Sequence, residues 1–159
     1  MFDVKEYFKD KDIYKTIEGF PVYIDEGFIY LGCGIVTIPM AVAESKSKTI
    51  VINTLMAEKE EDFIMAVIYH EIGHLVNSPR HFDVSAAYLK DLDNSALEEE
   101  YLKCEIEADD YAVQKGFKIP LMRVLSELAI RVLILGEEKS FFQAEERSNI
   151  LRGETKNDF

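Results

Sequence analysis

Residues 63–74 read Phe63-Ile64-Met65-Ala66-Val67-Ile68-Tyr69-His70-Glu71-Ile72-Gly73-His74, and how this stretch folds decides the rest of the chain. Its near-continuous apolar run predicts a helix held inside the protein rather than laid on its surface. Asn53 or Thr54 can cap it, and Glu58, Glu60, Glu61 and Asp62 stand where the positive end of the helix dipole favours acids. Pro79, in Asn77-Ser78-Pro79, is predicted to end it. The chain has three histidines, His70, His74 and His81, and the first two lie four residues apart in this helix. Four residues make about one turn, so both imidazoles leave one face and can hold one metal ion. Glu71 projects about 100° further round, where it can face a water at the metal without binding the metal itself. Polar groups inside an apolar helix need partners, and a metal supplies them.

A catalytic zinc site takes three protein ligands and leaves one position open, so the expected cofactor is Zn2+ and a third ligand has to be found. His81 is one candidate. The pattern HExxHxxGxxH, however, places its last histidine at position 80, which is Arg80 here, and Ser78-Pro79 turns the backbone elsewhere. The other candidate lies in Glu105-Ile106-Glu107-Ala108-Asp109-Asp110-Tyr111-Ala112. On a helix Glu105 and Asp109 share a face, so Glu105 can ligate while Asp109 accepts a hydrogen bond from the free ring nitrogen of a ligating histidine. Ala108 and Ala112 are small enough to let this helix approach the first closely. The blander reading of the segment is a solvated acidic face continuing Glu98–Glu100.

HEIGH followed by EIEADDYA resembles the gluzincin clan of zinc metallopeptidases, whose pattern is HExxH with a downstream ExxxD. The form E-x-E-A-D-x-x-A, followed by Val113-Gln114-Lys115-Gly116-Phe117, looks most like the HtpX and CAAX-prenyl peptidase branch. The resemblance spans roughly residues 49–125 and implies a zincin-like fold. It also implies His70, His74 and Glu105 as zinc ligands, Glu71 as general base, Asp109 as the carboxylate behind a ligand, and a peptide or protein as substrate. The membrane members of that branch carry transmembrane helices, and this chain shows no apolar run of the required ~20 residues. The regulator-cleaving ImmA/IrrE peptidases share the HExxH…ExEA layout. They continue into F-A-x-x-L-L-x-P, where this chain has Tyr111-Ala112-Val113-Gln114-Lys115-Gly116. A rival of another class is a latent or non-catalytic zinc module that binds a partner. An intact Glu71 speaks against it, since a structural site has no use for the base.

Working outward, residues 3–16 are predicted as a short amphipathic helix presenting Val4, Tyr7, Phe8 and Ile13 on one face. Gly19 and Pro21 mark the change to strands, expected at Phe20–Asp25, Phe28–Leu31, Gly34–Ala43 and Thr49–Asn53, with turns at Glu26-Gly27 and Gly32-Cys33-Gly34. By analogy with zincins, the strand before the metal-binding helix offers an edge to an extended substrate, with Val51–Thr54 lining the cleft. Beyond residue 78 the prediction is a short helix over Val84–Lys90. A long one runs from the capping box Ser95-x-x-Glu98 to near Gly116, then a third from Pro120 to Leu135 and a last over 138–152. Leu121, Val124, Leu125, Leu128, Val132, Leu133 and Leu135 read as core. Strands first and helices after make an α+β class: a small antiparallel or mixed sheet, then an active-site helix, then a mostly helical half, all within one domain of residues 1–159.

The 159 residues carry a net charge of −12, which repels phosphate backbones and anionic lipid, so neither nucleic acid nor a membrane surface is an expected partner. Cys33 and Cys104 are too few for a disulfide framework and read as free thiols. With a start that lacks a basic and apolar leader, they make the cytoplasm the expected location. Tyr101, Tyr111, Arg123, Arg131 and His81 are the groups able to donate to an oxyanion. Their order in the chain does not choose among them, nor does the pattern set an oligomeric state.

Overall fold

The computed structural model describes residues 3–26 and 40–153. The predicted strand Phe28–Leu31, the turn Gly32-Cys33-Gly34, Gly27 of the first turn and the larger part of Gly34–Ala43 lie outside them. The described chain is α+β, a four-stranded mixed sheet with six α-helices.

The N-terminal helix α1 covers only Val4–Phe8, shorter than predicted, with the Asp3 carboxylate accepting from the amides of Lys5 and Glu6. The chain leaves the helix early because residues 14–24 are committed to a hairpin, whose first bond runs from the Tyr14 amide to the Val22 carbonyl at 2.8 Å. Strands β1 (Lys15–Ile17) and β2 (Phe20–Ile24) pair antiparallel around Glu18 and Gly19. Both turn residues have positive φ, 52° and 82°, the geometry that a two-residue hairpin turn demands and glycine meets at no steric cost. Strands β3 (Ala41–Glu44) and β4 (Thr49–Ile52) complete the order β1-β2-β4-β3. The Glu44 carboxylate closes the turn between them by accepting from the Ser47 amide and hydroxyl.

The position of β4 corrects an expectation. It is no edge: it runs parallel to β2 (Val22 beside Ile50) and antiparallel to β3 (Ala43 beside Ile50). All four of its residues are buried. Ile50 and Ile52 join the main core with Ile64, Ile68 and Ile72, while Val51 faces the other way into a small cluster with Phe8, Tyr23 and Val42. A strand covered on both faces reads as a continuous apolar run, as Ile50-Val51-Ile52 does. The strand at the end of the described sheet, beside the helices, is β3.

A short 3-10 turn, Thr54–Met56, separates β4 from the buried helix α2 (Glu61–Val76). Asn53 does cap, but its side chain accepts from the amide of Leu55 in that turn, so α2 begins seven residues later than Thr54. Pro79 ends α2 as predicted. Helix α3 (Arg80–Lys90) starts at once rather than at Val84. Helix α4 (Ser95–Gln114) is capped by Asn94, which accepts from Ala96 and Leu97, so the Ser95 capping box does not form and Ser95 is the first helical residue. Helices α5 (Lys118–Ile134) and α6 (Glu138–Leu151) close the described chain. Leu121, Val124, Leu125 and Val132 are buried as expected, whereas Leu133 and Leu135 are exposed at the end of α5, where no described element covers them.

The close pair in this fold is α2 against α4. A Cβ at Gly73 would lie 2.7 Å from the Ala108 Cα and 2.9 Å from its carbonyl oxygen, so backbone meets backbone at this crossing. Gly73 and Ala108 together set the separation of the two helices, and hence the distance between the side chains they carry. Among the described residues no helix is long and apolar enough to cross a membrane.

Candidate metal centre

Helix α2 carries His70 and His74 on the face turned to α4, and α4 sends Glu105 to meet them. The two Nε2 atoms are 3.1 Å apart. Glu105 Oε2 is 3.4 Å from His70 Nε2, and Oε1 is 3.3 Å from His74 Nε2. One donor atom from each of the three residues lies within 4.8 Å of the others. A tetrahedral ion with ligand bonds of about 2.0–2.1 Å holds its donors roughly 3.3 Å apart, close to the spacing of the two nitrogens from each other and of each nitrogen from its nearer Glu105 oxygen. Two imidazole nitrogens and a carboxylate oxygen are also a donor set that zinc accepts.

Behind His70 stands Asp109, one turn beyond Glu105. His70 Nδ1 donates to Asp109 Oδ1 at 2.8 Å, which leaves Nε2 to face the centre. Asp109 is in turn gripped from α6 by Arg147, whose Nε donates to Oδ2 at 2.7 Å and whose Nη2 donates to Oδ1 at 2.8 Å. The third guanidinium nitrogen, Nη1, reaches Glu105 Oε2 at 3.0 Å. Arg147 thus spans both carboxylates; it is buried with Asp109, while Glu105 keeps 13% of its side chain exposed. Burial alone would raise the pKa values of Glu105 and Asp109, but the facing guanidinium and the histidines hold both below the usual carboxylate range. In the metal-free protein the same carboxylates act on His70. Burial disfavours its charged form, yet the hydrogen bonds to Asp109 and Glu105 outweigh burial and push its pKa up to about 10. A point where a proton is held this firmly is a point that favours a cation.

Arg147 lies outside both motifs, and the expected site does not include it. Its signal is present in the chain all the same: Ala144, Arg147, Ser148 and Leu151 form the buried stripe of α6, and an arginine within a small and apolar stripe needs an anion.

His81 does not join the ligand cluster. It is buried, its Nδ1 is 2.9 Å from His74 Nδ1, and its Nε2 is 2.8 Å from Glu107 Oε2. Burial pushes its pKa down, with Glu107 pulling in the opposite direction. Glu107 also receives Arg80. The EIEAD segment is therefore no solvated acidic face: Glu105, Glu107 and Asp109 each meet a histidine.

The centre opens into a cleft of about 450 Å³ whose walls include Glu71, Tyr101, Val42, Val67, Phe82 and Leu125. Of the five candidate oxyanion donors, Tyr101 and His81 line this cleft. Arg123 pairs with Glu60 at 2.9 Å and Tyr111 with Glu18, both elsewhere. The negative charge of Glu105, joined by burial, raises the Tyr101 pKa and keeps its hydroxyl protonated. Cys104 is a small buried residue whose thiol is pushed up by burial, so it is no thiolate.

Compared with protein-family models, with curated proteins and with solved structures, the chain matches none.

Proposed function

We propose that the chain is a zinc-dependent peptidase with a zincin-like arrangement, hydrolysing peptide bonds in a peptide or protein substrate. The observation that carries the reading is the convergence of His70 Nε2, His74 Nε2 and the Glu105 carboxylate, close enough to hold one ion and opening onto a cleft that Glu71 lines. The likeness of HEIGH and EIEADDYA to the gluzincin pattern supports the same reading.

His70, His74 and Glu105 would hold the zinc. When bound, zinc supplies the Lewis acidity that brings the pKa of water toward ~7 and polarises a carbonyl. Glu71 takes the proton from the attacking water and later returns it to the leaving amine. Tyr101, protonated and lining the cleft, would be the donor to the developing oxyanion. Strand β3 lines the same cleft through Ala41, Val42 and Ala43, where an extended peptide can be added to the sheet. The apolar walls, among them Val67, Phe82, Val124 and Leu125, favour a substrate with an apolar side chain beside the scissile bond.

The test is zinc content together with cleavage of a quenched peptide library by the wild type and by Glu71→Gln. Zinc in both proteins is expected, with cleavage at apolar residues falling about 10²–10⁴-fold in the variant, the usual worth of a general base. Zinc in both with cleavage in neither would turn the reading toward a zinc-binding module. A wild type that holds no zinc removes it.

A further inference from the structure

His81 is no member of the ligand cluster, yet its surroundings give it a definite task. On a continuous helix it would lie about 10 Å further along the axis than His74. The break at Asn77–Pro79 folds the chain back instead, so that α3 lays the His81 ring against the His74 ring with centroids 5.1 Å apart at 70°. Asn77 secures the break by donating from Nδ2 to the Gly73 carbonyl at 2.8 Å. Both ring nitrogens of His81 are engaged, Nδ1 with His74 and Nε2 with Glu107.

Matching donors to acceptors leaves one arrangement that suits a metal. A ligating His74 keeps Nε2 unprotonated, so its proton sits on Nδ1. That N–H donates to His81 Nδ1, which must then be the acceptor nitrogen of a neutral ring. His81 consequently carries its proton on Nε2 and donates it to Glu107, which Arg80 steadies from the other side. Each donor meets one acceptor along the chain.

We propose that His81 is a positioning residue for the metal centre: it locks His74 in the tautomer and orientation that present Nε2 to the ion, with Glu107 as its anchor. The proposal rests on the zinc reading above and concerns how the second histidine is held. Outer partners of ligating histidines are worth about 10–100-fold in metal affinity.

The experiment compares full-length wild type, His81→Asn, His81→Leu and Glu107→Ala. Zinc affinity is read by competition with a chromophoric chelator, the ligand field by the visible spectrum of the cobalt-loaded protein, and folding by the melting temperature of the metal-free form. Asparagine can offer Oδ1 where His81 offers Nδ1; leucine fills space and accepts nothing. Leu is expected to weaken zinc about 10–100-fold and alter the cobalt spectrum, with Asn recovering most of both. Glu107→Ala, at a half-exposed position, is expected to weaken zinc by several-fold with little change in melting. Leu and Asn equal to wild type, or equally impaired, would overturn the proposal, because a merely space-filling role would not distinguish them. Should the leucine variant not fold, an unchanged affinity in Glu107→Ala overturns it alone. If the wild type binds no zinc, the zinc reading falls first, and that outcome is distinct.

Discussion

His70 leans on Asp109 and Arg147, a carboxylate and guanidinium sealed among α2, α4 and α6 with 3% and 9% of their side chains exposed. On its Nδ1 side His74 leans on a second imidazole, His81, and charge stands one step further out, at Glu107 and Arg80, which are 41% and 48% exposed. The two supports share a logic, an acceptor for Nδ1–H that ends in a carboxylate–arginine pair, and they differ in dielectric surroundings. Charges inside the protein interact strongly and are costly to leave alone, while charges at the rim are screened and replaceable. The His70 side should therefore carry the stability of the centre, and the His74 side mainly its geometry.

The harshest test of that contrast is Arg147→Leu. It strands Asp109 and Glu105 in the interior, and the metal-free protein should lose about 3–5 kcal/mol in denaturant unfolding. A loss within the range of a surface ion pair would show that the two sides do not differ. Zinc should restore part of the deficit, since a cation replaces the missing positive charge.

Titration probes the same side. The folded metal-free protein raises the pKa of His70 from 6.5 to about 10. The stability this confers is fully present below about 6.5 and is lost as pH climbs toward 10, where the folded state releases the proton. Zinc competes with that same proton, so the gap in melting temperature between zinc-loaded and metal-free protein should widen with rising pH across this window. A gap that stays flat or narrows contradicts the assignment.

Gly73→Ala strikes both sides together, because the added methyl meets the Ala108 backbone. Forcing α2 from α4 should cost about 1–3 kcal/mol and weaken zinc binding, without shifting the balance between the two histidines. Arg80→Ala is expected to be mildest, at most about 1 kcal/mol and smaller still in high salt. If Arg80 proves worth as much as Arg147, burial is not what separates the two supports.

Helix α2 was legible because the long apolar run, the flanking acids and Pro79 all agree there, and the one-turn spacing of His70 and His74 follows from helix geometry whatever surrounds it. Element edges were less legible. Asn53 offers one capping oxygen and either of two turns could use it; Asn94 and Ser95 are both good caps, and only the folded backbone decides between them. The strand order was hidden as well, since Ile50-Val51-Ile52 reads alike for an inner or an outer position until its neighbours are known. His81 could be weighed as a ligand from its place in the chain, but not as a partner of another histidine, because that depends on the bend after Asn77.

The sequence alone determined that two imidazoles and a glutamate share one helix, and that a second helix carries carboxylates at a matching one-turn spacing, because each repeat is set by local backbone geometry. Only the tertiary structure decided how the acids divide, Glu105 to the centre, Asp109 to His70 and Glu107 to His81, and that Arg147 arrives from α6 to hold two of them. Those pairings join residues far apart in the chain. They depend on the distance at which α2 and α4 cross and on where α6 docks, quantities set by packing rather than by spacing along the chain.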